Sequence, residues 1–166
     1  MFQTSEYSGT REERERSVLS QLHALIDGES STAANLANAS ALLNIYLEDI
    51  NWVGFYLFDG TELVLGPFQG LPACIRIPLG KGVCGTSAER RETLRIEDVH
   101  DFPGHIACDA ASNSEIVIPL VKDGQLLGVL DIDSPLKGRF NADDQAFLER
   151  FADRLTEALQ SPLSLF

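Results

Sequence analysis

The feature that most limits how this chain can fold is a pattern of two apolar runs joined by an Asp-Gly pair. The pattern occurs twice, and its four runs are residues 51–58, 62–68, 115–121 and 125–133. The joining pairs are Asp59-Gly60 and Asp123-Gly124. Such a pair between β-branched and aromatic runs is typical of a β-hairpin, because glycine accepts the positive φ angles of tight turns. We therefore predict two hairpins and an antiparallel sheet.

Helices are predicted before and after the hairpins. Residues 11–26 carry apolar side chains on one helical stripe, and the polar run 30–32 offers N-caps for a second helix. A last helix begins near Asn141. Between the hairpins, the predicted elements are a strand at 74–78, a helix at 83–90 and a strand at 93–96. The order predicts one α+β domain over 11–166, a central antiparallel sheet flanked by N-terminal and C-terminal helices, after a flexible N-terminus at 1–10.

The charge of the chain excludes several classes of function. Its 166 residues contain 25 Asp and Glu against 13 Lys and Arg, which gives a net charge of −12. Nucleic acids and anionic membranes require a basic face, so neither is expected as a partner. No apolar run has membrane-spanning length, and residues 1–17 lack the apolar core of a signal peptide. We therefore expect a cytoplasmic protein.

Three carboxylic acids are expected to meet at one edge of the sheet. Side chains alternate between the faces of a strand, so Asp131 and Asp133 share a face. The short turn at 122–124 places Glu115 near them on the partner strand. Adjacent carboxylates repel each other unless a cation lies between them, so the cluster suits an ammonium group or a reaction that needs a neutral acid. The alternatives are an exposed acidic rim, or a turn capped by Asp133.

Three cysteines offer redox or metal chemistry without forming a Cys-x-x-Cys pair. Cys108 lies in a long polar connection at 97–113, where a thiol is accessible, and His105 is near enough in sequence to support a thiolate. Cys84 lies at the glycine-rich start of a short helix, where exposed N–H groups lower a thiol pKa. Cys74 alternates with hydrophobic residues on a predicted strand, and a buried packing role is the alternative for it.

Two further groups have alternative interpretations. A zinc site of His100, His105 and Cys108 is less favoured, because zinc signatures usually contain closely spaced cysteine pairs. Trp52, the only tryptophan, begins the first strand. There it either packs in the core or forms one wall of a ligand pocket.

Five short motifs carry a resemblance to a known family. They are residues 52–56 (WVGFY), 80–85 (GKGVCG), 102–112 (FPGHIACDAAS), 114–117 (SEIV) and 128–135 (GVLDIDSP). In this order they resemble the free methionine-(R)-sulfoxide reductases, which are enzymes built on a single GAF domain. The resemblance extends from about residue 10 to residue 155 and includes all three cysteines. It implies a GAF-like fold and the reduction of free L-methionine (R)-S-oxide to L-methionine.

The resemblance also implies roles for the candidate residues. Cys108 is the expected nucleophile toward the sulfoxide sulfur, and Cys84 is an expected resolving thiol, with Cys74 as a further candidate for that step. The expected substrate ligands are Trp52, Glu115, Asp131 and Asp133. The acids suit the ammonium group of a free amino acid, which a peptide-bound methionine lacks.

The implied mechanism is a thiol cycle without a metal or an organic cofactor. Attack by Cys108 releases methionine and leaves a sulfenic acid, which condenses with Cys84 or Cys74 to a disulfide. Thioredoxin is the expected reductant, a homodimer is the expected assembly, and a role under oxidative stress is expected. Two rival functions are a non-catalytic GAF sensor of a small molecule and a thiol redox sensor without turnover.

Overall fold

The structure is a computed structural model that describes residues 7–106, 108–161 and 163. Its helices are α1 (Arg11–Ile26), α2 (Thr32–Tyr46), α3 (Gly82–Arg90) and α4 (Ala142–Ala158), with a short 3₁₀ helix at Val99–Asp101. Its strands are β1 (Trp52–Phe58), β2 (Glu62–Gly70), β3 (Arg76–Pro78), β4 (Leu94–Ile96), β5 (Ser114–Lys122) and β6 (Gln125–Ser134). The predicted α+β fold with a central sheet between helices is confirmed.

The six strands form one antiparallel sheet in the order β3-β2-β1-β6-β5-β4. The two predicted hairpins are β1–β2 and β5–β6, and β1 pairs with β6 to join them. Asp123 and Gly124 have φ angles of 49° and 75°, which the tight turn between β5 and β6 requires. The start of β1, the end of β6 and the start of β5 therefore lie side by side at one end of the sheet.

The sheet separates two hydrophobic layers. On one face, α1, α2 and α4 pack on alternate residues of the central strands, among them Val53, Phe55, Leu130 and Ile132. The other face carries α3, and its apolar cluster includes Trp52, Tyr56, Val83, Val117 and Val129. The period-2 alternation of the strands thus sends neighbouring residues to different layers.

Three helix starts follow the capping pattern in the sequence. The Thr10 hydroxyl accepts the N–H of Glu13, whose carboxylate accepts the N–H of Thr10, and Asn141 and Asp144 form the same reciprocal box at α4. The Ser31 hydroxyl caps α2. The predicted starts of α1, α2 and α4 are therefore confirmed.

The strand predicted at 74–78 is wrong in its first two residues. It begins only at Arg76: the carbonyl of Cys74 accepts a 2.9 Å hydrogen bond from the Tyr56 hydroxyl, and the carbonyl of Ile75 accepts one from the N–H of Leu65 in β2. Cys74 is half-buried in a loop, so a buried packing role on a strand is also wrong. The 3₁₀ helix lies within the long connection predicted at 97–113.

The N-terminal segment is described only in part. Of the predicted flexible residues 1–10, residues 1–6 lie outside the described residues. Tyr7 packs edge-on against Tyr46, with 5.1 Å between ring centroids, and its hydroxyl donates to Gln21. Among the described residues, none of the helices is both long and apolar enough to cross a membrane.

Candidate functional site

A pocket lies on the α3 side of the sheet, at the end where β1, β5 and β6 lie side by side. Trp52 starts β1 and pairs with Asp133 of β6, which in turn pairs with Glu115 of β5. Asp131 lies two residues before Asp133 and therefore on the same face. The backbone register thus brings the four expected substrate ligands, Trp52, Glu115, Asp131 and Asp133, into the lining of one pocket.

The three acids of this pocket bind protons more strongly than ordinary carboxyl groups. Burial is the main cause, and it raises the pKa of Glu115 and Asp133 well above their usual values, with repulsion from Asp131 adding to both shifts. Burial also raises the pKa of Asp131, to about 6. The raised pKa values favour the protonated forms of Glu115 and Asp133, so the cluster can donate a proton as well as accept a hydrogen bond.

One oxygen of this cluster lacks a hydrogen-bond partner. It is the Oδ1 atom of Asp131, which is buried and accepts no hydrogen bond from the described residues. An unsatisfied buried polar atom costs about 1–3 kcal/mol. The site therefore suits a ligand that brings a hydrogen-bond donor to Asp131.

Cys84 lies at the start of α3 and faces the acids. Its Sγ lies 3.9 Å from the Oε1 of Glu115. Burial, and then the charges of Asp131 and Glu115, raise the pKa of this thiol well above its usual value. The lowered pKa expected at a helix N-terminus is therefore wrong, because burial beside acids outweighs the helix dipole. Cys84 is a neutral buried thiol.

A cluster that could hold a metal ion coincides with these groups. The described residues contain one group of three potential ligand atoms within 4.8 Å of one another, and it belongs to Cys84, Glu115 and Asp131. The alternative zinc set of His100, His105 and Cys108 is not assembled. Cys108 is bonded to another cysteine, and the exposed ring of His100 contacts Asp98 at 2.7 Å.

A disulfide at the rim of the pocket joins Cys74 to Cys108, with their Cα atoms 5.5 Å apart. Both residues are half-buried, and Cys108 lines the pocket. Cys84 remains a free thiol. The sequence left both Cys84 and Cys74 open as partners for Cys108, and the structure contains the pair with Cys74.

The loop that carries Cys108 is tied to the edge of the sheet. The Nδ2 of Asn51 donates to Asp109 Oδ2 at 2.9 Å and to Ser112 Oγ at 3.1 Å. A backbone hydrogen bond of 2.8 Å joins the end of the loop to the end of β6. The position of Cys108 relative to the acids is therefore set by contacts between the loop and the sheet.

His105 faces an acid of the pocket. Its Nε2 lies 4.0 Å from the Oε2 of Glu115. Burial, and then repulsion from His100, lower the pKa of His105, so the ring is neutral at pH 7. Its expected role was to support a thiolate at Cys108, whereas in this structure it lies beside Glu115.

Trp52 combines its two alternative roles. Its ring is buried and stacks on Tyr56 and Phe68, with centroid distances of 5.9 and 5.2 Å. Its Nε1 donates to the carbonyl of Leu71 at 3.1 Å. The same ring lines the pocket. Trp52 is thus both a packing residue and one wall of the pocket.

Several pocket residues were not singled out from the sequence. Tyr56 lines the pocket on the same face as Trp52, and its spacing four residues along a strand was a usable signal. Asp109 and Ser112 also line it, and Asn51 holds them both. These contacts join residues about 60 positions apart, so no local pattern indicates them.

Known proteins resemble this chain in sequence. The sequence model of the GAF domain matches residues 21–159. A free methionine-R-sulfoxide reductase of Escherichia coli (strain K12) is 59% identical over 137 residues, which span 82% of this chain and 83% of that protein. The match therefore includes the five motifs and most of each chain.

Solved structures resemble the chain in fold. The fRMsr of Staphylococcus aureus, in complex with substrate, superposes with a TM-score of 0.84 at 48% identity and covers 93% of this chain and 99% of its own. The free methionine-R-sulfoxide reductase from Neisseria meningitidis, in complex with its substrate, gives a TM-score of 0.87 at 42% identity, over 93% and 94% of the two chains.

Proposed function

This chain belongs to the GAF domain family and, within it, to the free methionine-R-sulfoxide reductases, and on that premise we propose that it reduces free L-methionine (R)-S-oxide to L-methionine. The observation that carries the proposal is that one pocket contains both a redox-active sulfur and a group of carboxylic acids. The sulfur of Cys108 lies at its rim, and Glu115, Asp131 and Asp133 supply carboxyl groups. The sulfur can supply electrons to a sulfoxide, and the acids can bind an amino group.

The acids are the proposed ligands of the substrate ammonium group. An ammonium donor would satisfy the unpaired oxygen of Asp131 and offset the repulsion between Asp131 and Asp133. A peptide-bound methionine has an uncharged amide at that position, and it would leave the acids without a cation. A charge-assisted hydrogen bond contributes about 1.5–3 kcal/mol, which is enough to favour the free amino acid. Trp52 is the proposed wall against the S-methyl group.

Cys108 is the proposed nucleophile of the reduced enzyme. Its thiolate attacks the sulfoxide sulfur, the oxygen is transferred to Cys108 as a sulfenic acid, and methionine leaves. The methionine sulfur gains the two electrons that Cys108 loses, and one proton is taken up. Glu115 is the proposed donor of that proton, because it lines the pocket and burial raises the pKa of its carboxyl group well above the usual value.

Cys74 is the proposed resolving thiol, because it is the residue bonded to Cys108. Its sulfur attacks the sulfenic sulfur, a disulfide forms, and the oxygen leaves as water. Cys84 was the other candidate for this step. It is a buried neutral thiol beside Glu115, so we propose that Cys84 lines the substrate pocket and does not form the disulfide.

Thioredoxin is the proposed reductant, since a protein dithiol supplies the two electrons that reopen a disulfide. We expect the cycle to operate in the cytoplasm, where thiols are kept reduced between turnovers, and to counter oxidative stress. A homodimer is the expected assembly by analogy with the family. The proposed chemistry uses only the residues of this chain and the reductant.

Turnover with separated sulfoxides tests the proposal. Purified protein is mixed with the R or the S form of free methionine sulfoxide and dithiothreitol, and released methionine is measured. We expect release from the R form of the free amino acid and none from a peptide-bound sulfoxide. Cys108→Ser should lower turnover by roughly 10³-fold or more, since it removes the nucleophile. No release from the R form would contradict the proposed activity.

A thiol redox sensor is the second candidate, because its signal would be the same Cys74–Cys108 disulfide. Such a sensor forms the bridge with a general oxidant and releases no methionine. Oxidised protein is expected after treatment with hydrogen peroxide in either case. Methionine released repeatedly per protein molecule, with dithiothreitol present, separates the enzyme from the sensor.

A further inference from the structure

Exposed apolar side chains gather around the disulfide. In the described part of the chain, the exposed large hydrophobic residues are Ile45, Leu71, Ile75, Ile106, Val121 and Leu136. Three of these six are within three residues of a bridge cysteine in sequence: Leu71 is 63% exposed, Ile75 69% and Ile106 37%. We call Leu71, Ile75 and Ile106 the apolar collar. An apolar group of this kind around a reactive bond marks a contact surface.

The collar is also free of charge. Residues 65–75 contain no Asp, Glu, Lys or Arg, and neither do residues 102–108, although the chain carries a net charge of −12. Acidic residues on this surface would repel an acidic partner or an approaching thiolate. The surface therefore complements a partner whose own contact face is apolar and uncharged around its reactive group.

Two buried aromatic residues hold the collar segment in place. The Nε1 of Trp52 donates to the carbonyl of Leu71 at 3.1 Å, and the hydroxyl of Tyr56 donates to the carbonyl of Cys74 at 2.9 Å. Both rings belong to the apolar cluster beneath the pocket. Leu71 and Ile75 are thus presented from a fixed backbone, which lowers the ordering cost of binding.

The two sulfurs of the bridge face different surroundings. Cys108 lines the pocket together with Glu115 and Asp133, and the collar residues Leu71 and Ile106 lie at the rim of the same pocket, whereas Cys74 and its neighbour Ile75 do not line it. A thiolate attacks a disulfide sulfur from the side opposite the leaving sulfur. We therefore infer that attack on Cys74 approaches over Ile75, on the side of the collar outside the pocket, and that attack on Cys108 approaches past the acids of the pocket.

We propose that the apolar collar is the docking surface for a protein dithiol of the thioredoxin class, and that the reductant attacks the sulfur of Cys74. This inference rests on the proposed function, since that function supplies the need for a reductant. The reductant thiolate bonds to Cys74, the Cys74–Cys108 bond breaks, and Cys108 leaves with the electron pair as a thiolate. The second thiol of the reductant then displaces Cys74, which takes up a proton. The reductant becomes a disulfide, and the enzyme gains two electrons.

Comparing two reductants tests the docking surface. The variant Ile75→Ser, at the collar residue that does not line the pocket, is assayed with R-methionine sulfoxide and either thioredoxin with its reductase or dithiothreitol. Val121→Ser is the matched control, because Val121 has the same 37% exposure as Ile106 and lies at the opposite end of β5 from the pocket. We expect kcat/KM for thioredoxin to fall by about tenfold or more, as for the loss of central interface residues. The dithiothreitol-driven rate should stay within about twofold of wild type.

Each other outcome has a defined meaning. Equal losses with thioredoxin and dithiothreitol would overturn the docking surface, because the collar would then support the pocket itself. An unchanged thioredoxin rate would overturn it as well. Inactivity of the wild type with both reductants would instead count against the proposed activity. Disulfide reduction by thioredoxin is followed separately by titrating free thiols without any sulfoxide, so the docking surface remains testable in that case.

A trapped intermediate identifies the attacked sulfur. Oxidised protein is mixed with excess thioredoxin whose second active-site cysteine is replaced by serine, the reaction is quenched with iodoacetamide, and the mixed disulfide is mapped by mass spectrometry. We expect thioredoxin on Cys74 and the alkyl group on Cys108. Thioredoxin on Cys108 would overturn the proposed direction of attack. The Ile75→Ser variant should form the mixed disulfide more slowly, whereas Val121→Ser should not.

Discussion

The two faces of the sheet both bury apolar side chains, but they differ at one end, where only one face also buries acids and a thiol. The face that α1, α2 and α4 cover buries large apolar side chains, including Phe147 and Phe151. The opposite face buries Glu115, Asp131 and Cys84 at one end. Burial of each large apolar side chain contributes about 1.5–3 kcal/mol to stability. Burial of a carboxyl group opposes folding, because the group loses its hydration.

The difference shows how one strand serves both stability and chemistry. In β6, Leu130 and Ile132 enter the core beneath the helices, while Asp131 and Asp133 enter the pocket. A slip of one residue in the pairing of β6 would exchange these two pairs. The apolar face therefore holds the register that presents the acids, and it offsets the cost of burying them.

The largest effect is expected from a truncation on the helix-covered face. Phe151→Ala removes a fully buried ring and should lower the free energy of unfolding by about 3–5 kcal/mol. Urea denaturation at pH 7 measures the change. In the folded fraction, kcat/KM should remain close to wild type, because Phe151 does not line the pocket. A stable variant with lost activity would contradict the division between the two faces.

Glu115→Gln should have the opposite profile, with activity reduced and stability kept. It removes the proposed proton donor, so kcat/KM should fall by about 10–100-fold, the equivalent of about 1.4–2.7 kcal/mol. The free energy of unfolding at pH 7 should stay equal or rise, because glutamine keeps the shape of the side chain and removes the repulsion between Glu115 and Asp131. Asp153→Asn, an exposed acid on α4, is the control and should change neither quantity. A marked loss of stability in Glu115→Gln would mean that Glu115 supports the fold.

The features that the sequence predicts are those with a local cause. Strand alternation predicts that Asp131 and Asp133 share a face, and the short turn at 122–124 predicts that Glu115 lies opposite them. The register Glu115↔Asp133 confirms this placement. Helix starts follow from caps such as Asn141 in the same way.

The features that the sequence does not predict depend on contacts between distant segments. Cys74 pairs with Cys108 because two loops meet above the pocket, 34 residues apart in the chain. The raised pKa of Cys84 arises from burial, and then from acids on two other elements, which together outweigh the local position of Cys84 at a helix start. Neither contact leaves a periodic trace in the sequence. The resemblance to a family predicted that all three cysteines take part in the redox chemistry. It did not predict whether Cys108 pairs with Cys84 or with Cys74.

The pH dependence of stability should distinguish the pocket from the remaining surface. Acids whose pKa is raised in the folded state stabilise it below their unfolded pKa of about 4, and this contribution is lost as pH rises through the folded pKa. For Asp131 the folded pKa is about 6, and for Glu115 it is well above 4.5. The acid Asp98 behaves in the opposite way. The hydrogen bond from Lys137 lowers the pKa of Asp98, so the contribution of Asp98 to folding stability is lost only on acidification below about pH 4.

Between about pH 4.5 and pH 7 the free energy of unfolding should therefore decrease, by at most about 1.4 kcal/mol per pH unit for each such proton. Urea denaturation of the oxidised protein across this range measures the slope. Asp131→Asn should flatten the slope, and Asp98→Asn should leave it unchanged. Stability that increases over this range would show that the buried acids are ionised in the folded protein.

The smallest effect is expected from Cys84, which lies on the pocket face without belonging to the bridge. Its 3.9 Å contact with Glu115 is a weak hydrogen bond, which contributes about 0.5 kcal/mol, the lower end of the usual range. Cys84→Ser should therefore lower turnover with thioredoxin only about two- to threefold. Cys74→Ser should instead stop turnover with thioredoxin after one sulfoxide, because Cys108 then lacks its partner. Methionine released per protein molecule distinguishes the two variants. If Cys84→Ser also stops after one turnover, Cys84 is the resolving thiol, and the pocket face would contain the whole redox relay.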